Sequence, residues 1–274
     1  MIRVKFHGRL GNQLFQYAFA TMAASRLKTS FFIDDNSQNP LIRKYFKLRL
    51  FEERINKYFK NCAAKKNLTQ REIQEDSFPD AESMLDALEN NVGYYGFYQS
   101  EKYFCDYLSL IKKRFQLKKK YKKEFERRFN VLFNTNKTIA IHLRRKDYAT
   151  DFFDSLGGDN ISLPLSYYHF FLKKIENIEE YKVIFVSDDI KYARENFPNH
   201  SNFYFEQNSE IIDFQLILNA DIICTANSSF SWWAAYLNNK KDKVVYCPEY
   251  WMGHKIKRLH PKEIIPSQWK VISY

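Results

Sequence analysis

A cluster of charged side chains follows a short apolar segment near the middle of the chain. The segment reads IHLRRKDY over residues 141–148. Its polar residues are His142, Arg144, Arg145 and Asp147. Adjacent guanidinium groups can hold an anion through paired hydrogen bonds, and phosphate fits their geometry. A surface Arg–Asp cluster, with His142 buried in the core, is an equally good interpretation of these residues alone.

Two further segments suit the binding of a phosphate by backbone N–H groups. In TANSSFSWWAAYL (225–237), small polar residues precede a predicted helix, whose first N–H groups and dipole favour an anion. The candidate residues there are Asn227, Ser228, Ser229 and Phe230. GRLGNQ (8–13) repeats this form with Gly11 and Asn12, although it is neither GxGxxG nor a P-loop. Simple helix capping is the alternative interpretation of the serine-rich segment.

A third polar segment, VSDD (186–189), carries the neighbouring carboxylates of Asp188 and Asp189. Paired carboxylates can bind a metal ion, accept hydrogen bonds from a base or a ribose, or cap the following helix. No third carboxylate lies close by in the sequence, which argues against a metal site. Ligand binding and helix capping both stay open.

Apolar runs precede these polar segments, and helical patterns separate them. Strands are predicted at 138–143, 182–187, 202–205, 221–225 and 243–247. Fully apolar strands that alternate with helices are typical of a parallel sheet covered on both faces, with ligands beyond the carboxyl ends of its strands. The sequence therefore predicts one crevice lined by residues 142–147, 187–189 and 225–230.

The first half of the chain begins in the same way and then loses its clear pattern. IRVKFH is a predicted strand, residues 12–27 are a predicted helix, and SFFID (30–34) is a second predicted strand. The stretch 40–135 is charged and helix-like, and within it VGYYGFYQS (92–100) is an isolated aromatic strand or loop.

Composition and length limit the class of protein. The chain has 274 residues, of which 45% are apolar and 18% aromatic, so it can form a large core and is not disordered. Seven glycines and seven prolines are too few for a collagen-like or many-turned all-β chain. The polar junction FNTNKT (133–138) predicts two Rossmann-like α/β domains, 1–135 and 136–274, which face a central cleft.

Several sequence signals are absent. The four cysteines contain no CxxC pair, which argues against a zinc site and against a dense disulfide framework. The sequence shows no secretory signal and no apolar stretch of about 18 residues. A cytoplasmic protein is therefore expected.

Most of the net charge of +11 lies in one segment. Residues 111–129 hold ten Lys and Arg but only two acidic residues. The segment can be the solvated face of an amphipathic helix, or it can bind an anionic membrane surface peripherally. Nucleic-acid binding is disfavoured because no DNA- or RNA-binding motif accompanies the basic residues.

In the order of its motifs the chain resembles the bacterial α-1,2-fucosyltransferases of glycosyltransferase family 11. Four segments carry the resemblance: HGRLGNQLFQYA, HLRRKDY, VIFVSDD and DFQLILNADIICTANSSFSWWAAYL. They span residues 7–237, and the chain length suits the family. The resemblance implies a GT-B fold and inverting transfer of L-fucose from GDP-fucose to the 2-hydroxyl of a terminal β-galactose. It also implies that no metal or other cofactor is required.

The same resemblance implies roles for individual residues of the second half. Arg144 would bind the pyrophosphate, with Arg145 beside it and Asp147 bracing both arginines. His142 would lie along the nucleoside.

Roles at the other strand ends follow from the same resemblance. Asp188 and Asp189 would face the guanine and the ribose, with Asp188 on the base. The segment Asn227, Ser228, Ser229 and Phe230 would bind the β-phosphate and pack near the donor. From the other domain, the Gly11–Asn12 loop would place Asn12 where the fucose meets the acceptor hydroxyl.

The chemistry of the reaction suits Arg144 and Asn12 as the two catalytic residues. Negative charge develops on GDP as it leaves, and a fixed Arg144 with backbone donors can stabilise that charge without a metal. Asn12 is no ordinary base, so the departing phosphate is expected to take the proton of the acceptor hydroxyl.

The sequence leaves two alternative functions and the identity of the acceptor open. The chain can be another nucleotide-sugar transferase of the same architecture, or a non-catalytic basic protein that binds polyanions. The acceptor is not determined, because its contacts are expected in the unclear region 40–130. Four aromatic residues there can stack on a sugar ring or belong to the core: Tyr94, Tyr95, Phe97 and Tyr98.

Overall fold

A computed structural model describes residues 1–35, 41–48 and 71–274 of the chain. The residues group into two compact units, Met1–Lys118 and Lys119–Tyr274. This division falls before the boundary predicted at 135/136. The helix before it belongs to the second unit, where Gln215 Nε2 donates to the Tyr121 carbonyl at 3.1 Å.

The first unit is built around a parallel sheet of four strands in the order β2-β1-β4-β3. Its strands and helices are β1 Ile2–Phe6, α1 Leu10–Arg26, β2 Phe31–Asp35, α2 Leu41–Tyr45, β3 Glu72–Gln74, α3 Ala81–Asp86, β4 Gly93–Tyr95 and α4 Leu108–Arg114. Short 3-10 turns lie at Glu75–Ser77, Glu101–Tyr103 and Cys105–Tyr107. The aromatic segment 92–100 therefore supplies β4, an inner strand of this sheet, where the sequence left open a strand or a loop.

Helix α1 is buried along almost its whole length. A helix that is apolar all round must lie inside the fold, and two buried glutamines in it find backbone partners. Gln13 accepts from the Ile42 N–H at 3.1 Å, and Gln16 donates to the Gly96 carbonyl at 3.1 Å. The helix thereby fixes the loop after β4.

The second unit contains a six-stranded sheet in the order β12-β11-β10-β5-β8-β9, with all neighbours parallel. Its strands and helices are α5 Lys119–Thr135, β5 Lys137–Leu143, α6 Lys146–Thr150, β6 Phe152–Phe153, β7 Gly158–Asp159, α7 Leu165–Lys173, β8 Tyr181–Ser187, α8 Ile190–Asn196, β9 Phe203–Phe205, α9 Glu210–Leu218, β10 Ile222–Cys224, α10 Ser229–Leu237, β11 Val244–Pro248 and β12 Lys270–Ile272. Strands β6 and β7 form a small antiparallel pair, and 3-10 turns lie at Asp154–Leu156 and Ile178–Glu180.

The order of the strands locates a ligand site. From β5 the chain adds β8 and β9 on one side of the sheet, and then β10, β11 and β12 on the other. In open parallel sheets ligands bind where the strand order reverses, beyond the carboxyl ends of the strands. That point lies between β5 and β10. The five strands predicted for this half are confirmed, whereas the half-exposed strand β12 escaped prediction.

Aromatic packing holds the helices onto this sheet. Trp232 and Trp233 of α10 are fully buried, and Trp232 Nε1 donates to the Ile264 carbonyl at 2.7 Å. The buried Tyr167 of α7 donates its hydroxyl to the Thr225 carbonyl at 2.8 Å. The segment after β10 is thus fixed from the side of α7.

The basic segment 111–129 is not one helix, in contrast to the amphipathic-helix interpretation. It is divided between α4 and α5, and the connection buries Phe115 and Leu117. Within α5 the predicted apolar side is confirmed, because Phe125 and Phe129 are buried. Among the described residues, no helix is long and apolar enough to span a membrane.

Candidate active site

The pairing of β5 with β8 places two opposite charges side by side. Leu143 lies opposite Ser187 in the parallel register, so Arg144 and Asp188 leave the sheet together. Arg144 Nη1 donates to Asp188 Oδ2 at 2.6 Å, and Arg144 Nη2 lies 2.5 Å from Asp147 Oδ1. A guanidinium carries five N–H donors, so two carboxylates can orient it and leave donors for an anion.

Asp188 also holds the backbone of the next arginine, since its Oδ1 accepts from the Arg145 N–H at 2.9 Å. The Arg145 guanidinium lies over the Tyr192 ring at 4.0 Å. The bracing contact expected from Asp147 to Arg144 is present. The structure shows Asp188 as the partner of Arg144, and its contact with a base stays a prediction.

Asp189 caps helix α8. Its Oδ1 accepts from the Tyr192 N–H at 3.1 Å, and its own N–H donates to Ser187 Oγ at 3.0 Å. The sequence allowed either ligand binding or helix capping by the VSDD acids, and the structure shows capping by Asp189. Its contact with a ribose stays a prediction.

His142 is buried beside an aromatic ring at the end of β5. Burial, reinforced by the charge of Arg144, lowers the pKa of His142 to about 3, so the imidazole is neutral. Its ring centroid lies 5.6 Å from that of Phe230, which also contacts Phe214 at 5.4 Å. Within the described parts of the chain, His142 Nδ1 has no hydrogen-bond partner. A buried polar atom without a partner is a candidate ligand contact.

Helix α10 begins next to this group. Asn227 is fully buried and donates from Nδ2 to the Ile161 carbonyl at 2.8 Å. Ser228 occupies the N-cap position, but its side chain makes no capping hydrogen bond. The alternative of simple capping by a side chain is therefore not what the structure shows. The start of α10, which includes Ser229, offers an anion the positive end of the helix dipole.

Asp213, in the first turns of α9, is a candidate site residue that was not predicted from the sequence. Its side chain is buried, and burial raises the pKa of Asp213 to about 7, against a hydrogen bond from Asn208 that lowers it. The negative charge of Asp188 adds to the increase, which places Asp213 near the Arg144 partner. The available signal was a single acid inside the apolar stretch IIDFQLIL (211–218).

The candidate residues of the first unit lie at the start of α1. Gly11 is buried there, and Asn12 Oδ1 accepts from Gln99 Nε2 at 2.9 Å. Gly8 has a φ of +74°, and a Cβ at this position would collide with the Asn12 amide. A glycine is thus required for the turn and for the close approach of Asn12.

Across the described ranges, no group of three or more His, Cys, Asp and Glu side chains is arranged to hold a metal ion.

The architecture is shared with a solved fucosyltransferase structure. The NodZ alpha-1,6-fucosyltransferase co-crystallized with GDP matches with a TM-score of 0.56 and 13% identity, over 86% of this chain and 92% of that one. The chain has the α/β GT-B fold expected from the sequence, which is a fold of nucleotide-sugar glycosyltransferases.

The profile of glycosyl transferase family 11 matches residues 1–272, and the chain belongs to this family. Among its relatives is the O-antigen biosynthesis glycosyltransferase WbnK of Escherichia coli, with 27% identity over 90% of this chain and 93% of that protein. An alpha-1,2-colitosyltransferase of Escherichia coli is 24% identical over 98% of both chains. The family resemblance of the motifs is confirmed.

The raised pKa of Asp213 predicts a pH-dependent stability. Because its folded-state pKa of about 7 exceeds the ordinary 3.8, the fold resists ionisation and stability falls as the pH rises from 3.8 towards 7. Asp213→Asn should therefore raise Tm by several degrees at pH 8 and by much less at pH 5, since about 1 kcal/mol shifts Tm by about 2–4 °C. Thermal unfolding at both pH values measures this, with exposed Asp242→Asn as the control. Equal shifts at both pH values would contradict the assignment.

Proposed function

We propose that this glycosyltransferase transfers L-fucose from GDP-fucose to the 2-hydroxyl of a terminal β-galactose, with inversion at the anomeric carbon. The observation that carries the proposal is the Arg144 guanidinium, which two carboxylates hold at the end of β5, next to β10, the strand that leads to α10. The nucleotide named for the NodZ structure and the α-1,2 linkage named for the colitosyltransferase support it.

The leaving diphosphate needs positive charge at a fixed place. Arg144 has its geometry set before substrate arrives, so it stabilises the developing charge with little reorganisation. Arg145 and the first turn of α10, from Ser228 to Phe230, supply further donors. With these groups we propose that the reaction requires no metal.

The nucleoside would lie against His142 and Phe230. Guanine presents two N–H donors on one edge, and a carboxylate can accept both. Asp213 and Asp188 are the carboxylates near this position, and a ligand that donates to Asp213 would offset the cost of its burial. This chemistry favours GDP over UDP as the nucleotide.

The acceptor hydroxyl must lose a proton. Asn12 is no base at neutral pH, so we propose that the departing phosphate takes the proton while the Asn12 amide orients the reacting groups. The hydrogen bond from Gln99 and the close contact with Gly8 limit the freedom of that amide.

The colitosyltransferase relative favours one second candidate. A donor that carries colitose would use the same nucleotide site and differ only in the sugar pocket. Purified protein incubated separately with GDP-fucose and with GDP-colitose distinguishes the two donors.

The proposed function predicts that the protein releases GDP from GDP-fucose only when lactose is present, and that EDTA does not change this release. NMR of the product should show fucose on O2 of galactose, and UDP-galactose serves as the control donor. Loss of activity in EDTA with recovery in Mg²⁺ or Mn²⁺ would overturn metal independence. If GDP-fucose does not bind in calorimetry, the proposed donor is wrong.

Arg144→Ala should reduce the transfer rate by about 100-fold or more, because loss of one fixed transition-state donor costs about 100- to 1000-fold. Arg144→Lys should also be impaired, since an ammonium cannot contact both Asp147 and Asp188 in the same way. Steady-state kinetics test both variants, with exposed Arg127→Ala as the control and thermal unfolding as the check on folding. A folded Arg144→Ala variant that keeps a tenth of the rate would refute this role.

We also propose that the cationic face of α5 brings the protein to the surface of an anionic membrane, as a cytoplasmic peripheral protein. The exposed residues of this face are Lys119, Lys120, Lys123 and Arg127. Lys120, Lys123 and Arg127 lie on the side of the helix away from the buried Phe125 and Phe129, so the helix can approach a flat surface without unfolding.

Vesicle sedimentation measures this contact. The protein should bind phosphatidylglycerol vesicles at low salt and phosphatidylcholine vesicles weakly, and Lys119, Lys120 and Lys123 changed together to Ala should abolish the preference. The matched control changes the exposed Lys173 and Lys174 to Ala. Equal binding to both lipids would remove the proposal.

A further inference from the structure

An exposed aromatic side chain stands at the carboxyl end of the first sheet. Phe97 is 44% exposed and follows β4, the strand next to β1. Its ring lies at 4.3 Å, edge to face, from His7, the residue after β1. The His7 ring also stacks on Tyr95, with the ring centroids 4.7 Å apart.

Burial separates the aromatic residues of this segment into two groups. Tyr94 and Tyr98 are core residues, exposed by 1% and 0%, and Tyr98 stacks on Phe19 at 3.8 Å. Tyr95 and Phe97 instead reach the surface, and both contact the His7 ring. The sequence left open whether these aromatics bind a sugar or fill the core, and their burial assigns Tyr94 and Tyr98 to the core.

The turn that presents Phe97 is held by hydrogen bonds and contains a strained backbone conformation. Glu75 accepts from the N–H groups of Phe97 and Tyr98, both at 2.7 Å, and Tyr98 has a φ of +53°. Burial raises the pKa of Glu75, because desolvation of the carboxylate outweighs the hydrogen bonds from Tyr98, Tyr103 and Phe97. A Cβ at Gly96 would collide with Glu75. Such strain persists at sites that need a fixed geometry.

The His7 ring is an uncharged part of this surface. Burial lowers the pKa of His7 and the charge of Lys5 adds to this, against a hydrogen bond with the Lys5 backbone that raises the pKa, so the neutral imidazole is favoured. Gln16 fixes the residue by accepting from its backbone N–H at 3.2 Å, and its amide nitrogen lies 2.9 Å from Nδ1. The pair therefore presents two aromatic rings in a set orientation.

We propose that Phe97 and His7 form the platform that binds the acceptor sugar, and that it recognises the apolar face of a galactose-configured pyranose. In β-galactose the axial 4-hydroxyl leaves three C–H groups on one face of the ring. Their hydrogens carry a partial positive charge and are attracted to the negative face of an aromatic ring. The rings are held in place before binding, so little ordering entropy is lost. The choice of sugar rests on the proposed function, whereas the platform itself does not.

Phe97→Ala, Phe97→Trp and the control Phe152→Ala test the platform. At saturating GDP-fucose, Phe97→Ala should raise the KM for lactose about tenfold, with kcat and the Kd of GDP-fucose within about twofold of the wild type. Phe97→Trp should restore the KM, because it keeps an aromatic face. Phe152, also an exposed phenylalanine, should have no effect when replaced.

Saturation-transfer NMR with methyl β-D-galactopyranoside gives a readout independent of catalysis. Wild-type protein should bind this galactoside more strongly than methyl α-D-mannopyranoside, and Phe97→Ala should lose the difference. An unchanged KM in Phe97→Ala, or no galactoside binding by the wild type, would overturn the platform. Galactoside binding that depends on Phe97 without fucosyl transfer would support the platform and refute the proposed function.

Discussion

The register between β5 and β8 is the constraint on which the candidate active site depends. Seven residue pairs fix it, from Lys137 with Tyr181 to Leu143 with Ser187. A shift by one residue would separate Arg144 from Asp188 and turn their side chains to opposite faces. The two side chains are only 11% and 15% exposed, so an unpaired charge in either position would carry a large desolvation cost. The sheet core and the site chemistry are therefore specified together.

The electrostatic balance around Arg144 explains why several elements converge there. Asp147 and Asp188 together outweigh one guanidinium, and alone they would repel a diphosphate. The positive end of the α10 dipole and the Arg145 guanidinium shift the balance towards anion binding. Burial acts in the same direction on Asp213, because a pKa near 7 leaves this carboxyl partly protonated at neutral pH. His142, kept neutral by burial, offers a polar ring without adding charge.

In the first unit, hydrogen bonds organise the end of the sheet. Its sheet edge is organised by polar side chains of α1 that bind neighbouring loops, as Gln16 does with the Gly96 carbonyl and Asn12 with Gln99. The turn at residues 96–98 is held by a partly buried carboxylate and contains a non-glycine residue with positive φ. These features lower stability locally, and they keep Phe97 and His7 in one arrangement.

The sequence by itself determined the parallel sheet of the second half, because its strands are continuous apolar runs that end in polar residues. It also determined the family, and it located the Arg144 and Asp188 segments at neighbouring strand ends. Strands β3 and β12 each bury only one side chain, so neither has the continuous apolar run that marks the predicted strands. The division of the basic segment into α4 and α5 depends on the burial of Phe115 and Leu117, which only packing decides.

Tertiary structure alone decided how the charged residues are used. Asp188 and Asp189 are adjacent in sequence, yet one holds Arg144 and the other caps α8, because a strand end and a helix start lie on either side of them. Asp213 comes near Asp188 only when α9 packs beside β8, so the sequence marks it as an acid in an apolar stretch but does not show what it faces. Side-chain environment depends on contacts between distant segments, and those contacts exist only in the folded chain.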